Sequence, residues 1–525
     1  MNLIFSLPRW RTRCWSAILF AVPFWFASSP AGAQWYGDRP ADTHGSETAA
    51  QLDPFDPVPE IGRDDCRGDD CRRYGHPHDF HHYHGPVLPL IGGHPTLMVD
   101  CSGQRRDTFP SLETAVRIAP PNATILILPP KEGMTCQGGV QIGVPLTIAT
   151  YGGGDSAVIQ APPGRPCLIA DIPLGDTLTI EGIRFVARGG VAPCVMVQAG
   201  HVVVRHSSID SRTTNWAFDV MESGELTVEA THVETDRSGV RAWRAQVDLH
   251  GLDIDIDARR VGAQLRLRDA DCTTEDDPAS NANRAATPQG ADDWDRRDTV
   301  QGSVGLALQC TDGVVDAGEI NGGAIGIIAS AGTHGLALKD AHVRKAQTGM
   351  LLLRGQVGGI DVERAILSKN TNGIIVAPGA ESQITGAAVT DSADTAIAVY
   401  GTDALISGNK VVGAETGIQL FAEGAFPPPY LALPPPRLNS FSADPPLDND
   451  DGAKPIVENN LVANTRRAAV RIDGRVGDHI VRMRGSVIGN TFYARQGECI
   501  DDKYDDDPVR TRANTCNKSG FSWPF

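Results

Sequence analysis

The chain has 525 residues, enough for one long domain or several compact ones, and is acidic, with 47 basic against 64 acidic side chains. That balance excludes nonspecific nucleic-acid binding, which needs a cationic surface. Aromatic residues are only 6%, whereas glycine reaches 56 residues, a composition suited to many tight turns and small inward-facing positions.

Residues 1–33 read as an export signal. Arg9, Arg11 and Arg13 precede an apolar run from Trp15 to Phe26, and Ala31, Gly32 and Ala33 supply the small residues that signal peptidase accepts. An uncleaved anchor, the competing reading, needs a longer apolar run. Removal of the signal takes away three positive charges, so the net charge becomes −17 − 3 = −20. No later apolar stretch is long enough to cross a bilayer, and the expected location is periplasmic or secreted. Cysteine usage agrees with an oxidising compartment. Cys14 leaves with the signal, and the other ten fall into neighbours along the chain: Cys66/Cys71, Cys101/Cys136, Cys167/Cys194, Cys272/Cys310 and Cys499/Cys516. Other connectivities stay open.

Residues 34–95 carry no repeat and read as a Pro-, Asp- and His-rich linker. Within it, His76, His78, His81, His82 and His84 form a dense tract able to bind Zn²⁺, Cu²⁺ or Ni²⁺ loosely. No fixed ligand spacing is enforced, so a solvated linker is the competing reading. The ordered domain is expected over 96–495. Pro110 to Ala119 has apolar residues at helical spacing with Ser111 as N-cap, and strands follow at 123–128 and 146–150. A short helix before the first coil is what an elongated β stack needs where its apolar interior would otherwise meet water.

A repeat of about two dozen residues then runs through most of the chain. Its core is a large apolar residue, two variable residues, a small or polar one, another variable one and a second apolar residue. It is legible at Ile180/Phe185, Val204/Ile209, Val228/Val233, Leu249/Ile254, Val315/Ile320, Leu338/Val343, Val362/Leu367, Ile384/Val389 and Ile406/Val411. The steps between first members are 24, 24, 21, 66, 23, 24, 22 and 22, and the 66 equals three steps of 22. Short alternating strands broken by turns at a fixed period indicate a stacked solenoid. About 11 coils at ~4.8 Å each give a helix on the order of 50 Å long. Asn409, Asn460 and Asn490 share one repeat position, where stacked carboxamides hydrogen-bond along the axis. Two insertions interrupt the stack, a polar one at 273–302 flanked by Cys272 and Cys310 and a proline-rich one at 422–454. Residues 496–525 read as a C-terminal cap and tail. Asp501, Asp502, Asp505, Asp506 and Asp507 in it match no established Ca²⁺ loop.

The run Thr108 to Val116, then Ala123 to Ile127, then Val144 to Ile148, resembles the opening of right-handed parallel β-helix proteins of the pectate-lyase-like superfamily. With the repeat, the resemblance covers roughly residues 96–495. It implies an all-β fold, a right-handed parallel β-helix solenoid with a short N-terminal capping helix. That superfamily includes polysaccharide lyases, pectin esterases, alginate epimerases and non-catalytic surface proteins. His76-Pro77-His78-Asp79 falls short of the epimerase Asp-Pro-His-Asp motif, because His76 stands where its first Asp would be.

Outward side chains of successive coils form columns. In the strand before each repeat core, Phe218 and Val220 are expected inside with Asp219 and Met221 outside. One coil on, Arg241 and Trp243 face out, with Arg244 at the bend. The next strand is expected to expose Gln264, Arg266 and Arg268, followed by Asp269 and Asp271. This basic, Trp-bearing patch suits an acidic glycan. Arginine forks match uronate carboxylates and Trp243 stacks on a sugar ring. The resemblance implies that the uronate carboxylate is neutralised and C5–H removed by a base. Carried over by position, Arg266 or Arg268 is the candidate base, Arg241 assists it, and Asp219 is a partner or a Ca²⁺ ligand. Trp243, Arg244, Gln264 and Asp269 are the candidate substrate contacts. The competing reading is a salt-bridged strand face without activity. His206, His232 and His250 occupy different repeat offsets and read as turn or surface residues. Together these readings describe an exported β-helix that binds, and as an enzyme modifies, an acidic extracellular polysaccharide. The alternative is a non-catalytic periplasmic or cell-surface scaffold or carbohydrate-binding protein.

Overall fold

The computed structural model describes residues 88–91, 94–129, 134–152, 156–190, 192–212, 215–257, 264–266, 299–422, 453–476, 479–480, 483–494, 496–503 and 509–518. The export signal, the histidine tract, Arg268, Asp269, Asp271 and Asp505 to Asp507 lie outside these residues.

The chain winds as a right-handed parallel β-helix of about 14 turns, more than the repeat core alone suggested. Each full turn contributes one strand to each of three parallel sheets. The first sheet runs from His94–Val99 to Arg510–Arg512. The second runs from Cys136–Gln137 to Thr515–Asn517, and the third from Val140–Ile142 to Glu498–Asp502. Along the chain the order is third, first, second, then third again one turn on.

The repeat core is the corner between the first and second sheets. Its third residue takes left-handed backbone angles in turn after turn, for example Gly182 (φ 66°), Ala230 (φ 45°), Arg364 (φ 52°) and Asn459 (φ 57°). The next residue faces inward at the bend and is small or polar in most turns: Ser207, Thr231, Ala341, Ala365 and Ala387 are all buried. Ile183 and Leu252 fill the same place in their turns, so the corner also admits a large apolar side chain. From Asn409 onward the same place is filled by asparagine. Asn409 Nδ2 donates to Asn460 Oδ1 at 3.0 Å, Asn460 Nδ2 to Asn490 Oδ1 at 3.0 Å, and Asn490 Nδ2 to Asn514 Oδ1 at 3.1 Å. Each such bond contributes about 1 kcal/mol net, but an unpaired buried amide costs more, so the ladder is all or none.

The helix Leu112–Ile118 follows Ser111, whose Oγ accepts the Thr114 amide at 3.2 Å. It buries Leu112, Ala115 and Val116 against the first strands. The antiparallel strand Leu88–Ile91, inside the segment read as linker, pairs with His94–Val99 and covers that edge. Disulfides Cys101–Cys136, Cys167–Cys194 and Cys499–Cys516 are those expected from neighbouring positions, with Cα separations of 5.2, 4.9 and 5.9 Å. Cys310 is disulfide-bonded as well, and Cys272 lies outside the described residues.

The step of 66 residues is one turn. Leu249 pairs directly with Val315, and Ile254 with Ile320, so no coils lie between them. The chain leaves the stack after Ile256 and rejoins at Val304, a longer excursion than the 273–302 insertion expected from composition. The other long gap between described strands of the stack falls between Phe421 and Ile456.

The sheets differ in their outer faces. Strands of the first sheet alternate buried and accessible residues, as in Ala123–Ile127 and Ile360–Glu363. In the third sheet, Trp216–Val220, Thr348–Leu352, Asn372–Val376 and Thr395–Tyr400 are buried at every position. Trp216, Val304, Ala307, Ile325, Ile328, Leu351, Ile375, Ala398 and Tyr400 form a second apolar cluster separate from the solenoid interior. The outward column expected to be exposed is therefore itself a core.

A candidate glycan groove at the corner of the third and first sheets

Asp219 and Arg241 sit opposite each other on adjacent turns of the third sheet. Arg241 Nε donates to Asp219 Oδ1 at 2.7 Å and Nη2 donates to Oδ2, a two-pronged pair with Asp219 only 3% exposed. The Arg241 guanidinium also lies 5.9 Å from the centre of the Trp216 ring. Both Asp219 oxygens are thus engaged by arginine. Arg244, at the bend with φ 50°, stands 5.0 Å over the Trp243 ring and 3.7 Å from Glu222.

The column does not continue through Gln264 and Arg266. The residue paired with Arg241 on the next turn is Ala307. Gln264–Arg266 instead pairs antiparallel with Thr299–Gln301 in a two-stranded sheet of its own. The sequence reading assumed an unbroken period, and the chain spends those residues on an excursion. The expected stacking of Asp219, Arg241 and Arg266 in one column is therefore corrected to an Asp219–Arg241 pair followed by apolar residues. Asp501, read with the acidic tail, is 7% exposed and ion-paired with Lys503.

Where the third sheet bends into the first, an open groove of about 810 Å³ crosses several turns. Glu222, Glu225, Arg244, Asp312 and His334 line it. The groove is shallow-walled because glycines occupy the bend: Gly224, Gly313, Gly332 and Gly335 lie along it. A Cβ on Gly332 would stand 2.6 Å from the Asp312 carboxylate, so that residue must be glycine for Asp312 to take its place. Asp312 Oδ1 accepts the amides of His334 and Gly335 at 2.9 and 3.0 Å. Its Oδ2 lies 3.2 Å from His334 Nδ1, and Thr333 Oγ1 lies 2.9 Å from the same nitrogen. A carboxylate can only accept, so Nδ1 carries the proton of the neutral ring. Nε2 is left with its lone pair on a side chain that is 87% exposed. The arrangement orients an imidazole as a proton acceptor.

Of the candidate substrate contacts read from the sequence, Arg244 lines this groove; its histidine was not among them. The signal was present: His334 follows Asp312 by 22 residues, one period of the repeat. The other histidines behave as expected, His232 3.0 Å from Asp253 and His250 2.7 Å from Asp248. Among the described residues, no group of three or more His, Cys, Asp or Glu side chains converges to hold a metal ion. A second pocket, about 250 Å³, lies beside the Cys101–Cys136 disulfide. Burial pushes the Asp100 carboxyl there upward, but hydrogen bonds from Ser102 and Arg105 outweigh it and hold the group below its ordinary value. That carboxylate serves its own loop.

No family model matches the chain, and no curated protein does. Solved structures do. The Azotobacter vinelandii mannuronan C-5 epimerase AlgE6 A-module is 10% identical, covering 79% of this chain and 94% of its own, with a TM-score of 0.40. The periplasmic alginate epimerase AlgG is 9% identical over 81% of this chain and 85% of its own, at 0.40. A mannuronic acid specific polysaccharide family 6 lyase from human gut microbiota is 9% identical over 75% and 82%, at 0.30. Likeness at this level is one of fold, and no residue role is carried over from it. The chain itself is a right-handed parallel β-helix.

Proposed function

We propose that the protein binds an acidic polysaccharide in the groove between its third and first sheets and removes a proton from a bound uronate with His334. The observation that carries this reading is the His334–Asp312 pair, which leaves Nε2 unencumbered in an open channel. Arg244 supplies a cation in the same groove for the substrate carboxylate, and Glu222 beside it is the group that carboxylate must displace. With the carboxylate neutralised, Nε2 takes H5 and the C5 carbanion has two outcomes: the C4 oxygen leaves with its bond electrons and takes a proton from water in the open groove, giving an unsaturated product, or water returns a proton to the opposite face of C5, giving the epimer. Trp243 and Arg241 support the wall through their pairs with Arg244 and Asp219.

The disulfides among described residues agree with a protein that folds outside the cytoplasm, and we place it in the periplasm or the medium. The test is incubation of purified protein with a panel of uronate polymers, with and without Ca²⁺, reading ultraviolet absorbance of unsaturated ends and proton exchange at C5 by NMR. Turnover should fall by roughly 10²-fold or more in His334→Ala while polymer retention persists. Retention without turnover would leave a carbohydrate-binding scaffold. No retention on any polymer would sink the glycan reading.

A further inference from the structure

The groove carries its charges in a set order along the stack. Glu222 and Glu225 stand on one turn, Arg244 on the next, Asp312 on the third and His334 on the fourth. The pairings of Glu225 with Gln246, Gln246 with Asp312 and Gly313 with Leu336 fix that order. Successive turns lie ~4.8 Å apart. Arg244 is therefore bracketed by negative charge. Glu222 lies 3.7 Å from it on one side, and the turn of Asp312 follows on the other. Asp312 is engaged by the amides of His334 and Gly335 and by the His334 ring, yet it keeps its charge. Glu225 faces His201 at 3.8 Å, and the Glu222 and Glu225 side chains are 54% and 39% exposed, so both reach the solvent of the groove. Among the described residues that line it, three carboxylates meet one cation.

We propose, given that the groove binds a uronate polymer, that this polymer carries its uronates singly, each flanked by neutral sugars, and is not a homopolyuronate. A homopolyuronate bears a carboxylate on every ring. One such carboxylate set on Arg244 brings its neighbours along the chain to the turns of Glu222, Glu225 and Asp312. Like charges that close repel, and each opposes the desolvation of the other. A neutral sugar reverses the sign of the same contacts. Its hydroxyls donate to carboxylate oxygens, which can only accept. Gln246, in register between Glu225 and Asp312, both donates and accepts, as a hydroxyl does. The groove thus has one place for a negative ring and hydroxyl acceptors on either side of it. Charge sets this selection, and salt screens exposed charges over about 10 Å at 0.1 M, so the preference is widest at low ionic strength.

Fragments of similar length separate the two classes. Oligosaccharides of polygalacturonate, polymannuronate and polyguluronate are titrated against those of hyaluronan and unsulfated chondroitin, in which uronate alternates with a neutral sugar. At low salt the tightest alternating fragment should bind about tenfold or more tighter than the tightest homopolymer fragment, and the ratio should shrink at high salt. Glu222→Gln together with Glu225→Gln should cut the low-salt ratio by about threefold or more. Both side chains are more than a third exposed, and an unchanged unfolding midpoint shows that the double variant is folded. A homopolymer fragment bound as tightly as the alternating ones would overturn the proposal while leaving the uronate groove in place. So would a preference that survives the double variant, since the net charge of the whole protein would then be its source. Binding of no fragment of either class would sink this proposal and the uronate reading together.

Discussion

The first and third sheets are built from the same coils yet face the surroundings in opposite ways. On the first sheet most outward positions are accessible and many are charged, and neighbouring turns neutralise each other: Arg205 lies 2.9 Å from Glu229, and Lys339 3.8 Å from Glu363. Along the middle of the third sheet, the outward positions run Asp219, Arg241, Ala307, Ile328, Leu351, Ile375 and Ala398, all but Arg241 buried. A strand buried on both faces reads as a continuous apolar run, whereas one with a wet face alternates. The difference locates the groove. It lies at the bend between a sheet with two dry faces and one with a wet face, where glycines thin the wall and the dyad of Asp312 and His334 is accessible.

The contrast breaks most easily in the apolar part of the third sheet. Ile328→Ala, at an outward position with 0% exposure, should cost about 2–5 kcal/mol in denaturant unfolding. Asp361→Ala, outward on the first sheet and exposed, should stay within about 0.5 kcal/mol. Equal effects would mean that the third sheet's outer face is not a core.

A smaller difference separates the ion pairs. Asp219→Ala leaves Arg241 half-buried without its carboxylate and should cost about 3 kcal/mol. Glu229→Ala removes the partner of Arg205 in a pair whose side chains are both more than a third exposed, and should cost about 0.5 kcal/mol. Thermal or denaturant midpoints of the two single variants settle which sheet makes the stronger pair.

The smallest effect is a pH dependence at the corner leading into the third sheet. Burial first, and then the charge of Glu415, hold the Asp394 carboxyl above its ordinary value. The folded state therefore binds a proton more tightly than the unfolded chain. Its stabilising contribution is fully present below the unfolded value and is lost as pH rises through the raised folded one. Asp394→Asn should flatten the fall in unfolding midpoint across the mildly acidic range and raise the midpoint at neutral pH. An unchanged pH profile would show that Asp394 is solvated and sharpen the boundary of the dry region.

Much of the architecture was legible in the residues. Repeat pairs such as Val228/Val233 mark a corner because each flanks a left-handed residue and a buried inward position, small or polar in most turns. Asn409, Asn460 and Asn490 were recognisable as a ladder because one offset puts identical amides one turn apart. The candidate site was only half legible. Arg244 was named from the sequence and lines the groove, but His334 was not, since its setting comes from Asp312 one turn earlier and from glycines within Ile325–Lys339 where the alternation breaks.

The sequence by itself determined the parallel coil and its capping helix, because these depend on local period and capping chemistry; it made neighbouring cysteine pairs natural without fixing them. Tertiary structure alone decided that Leu249 stacks on Val315 across a long excursion, that Gln264–Arg266 pairs away from the coils, and that the third sheet is dry outside. Excursion length has no signature in a periodic pattern, and the burial of an outward side chain depends on what packs against it across space.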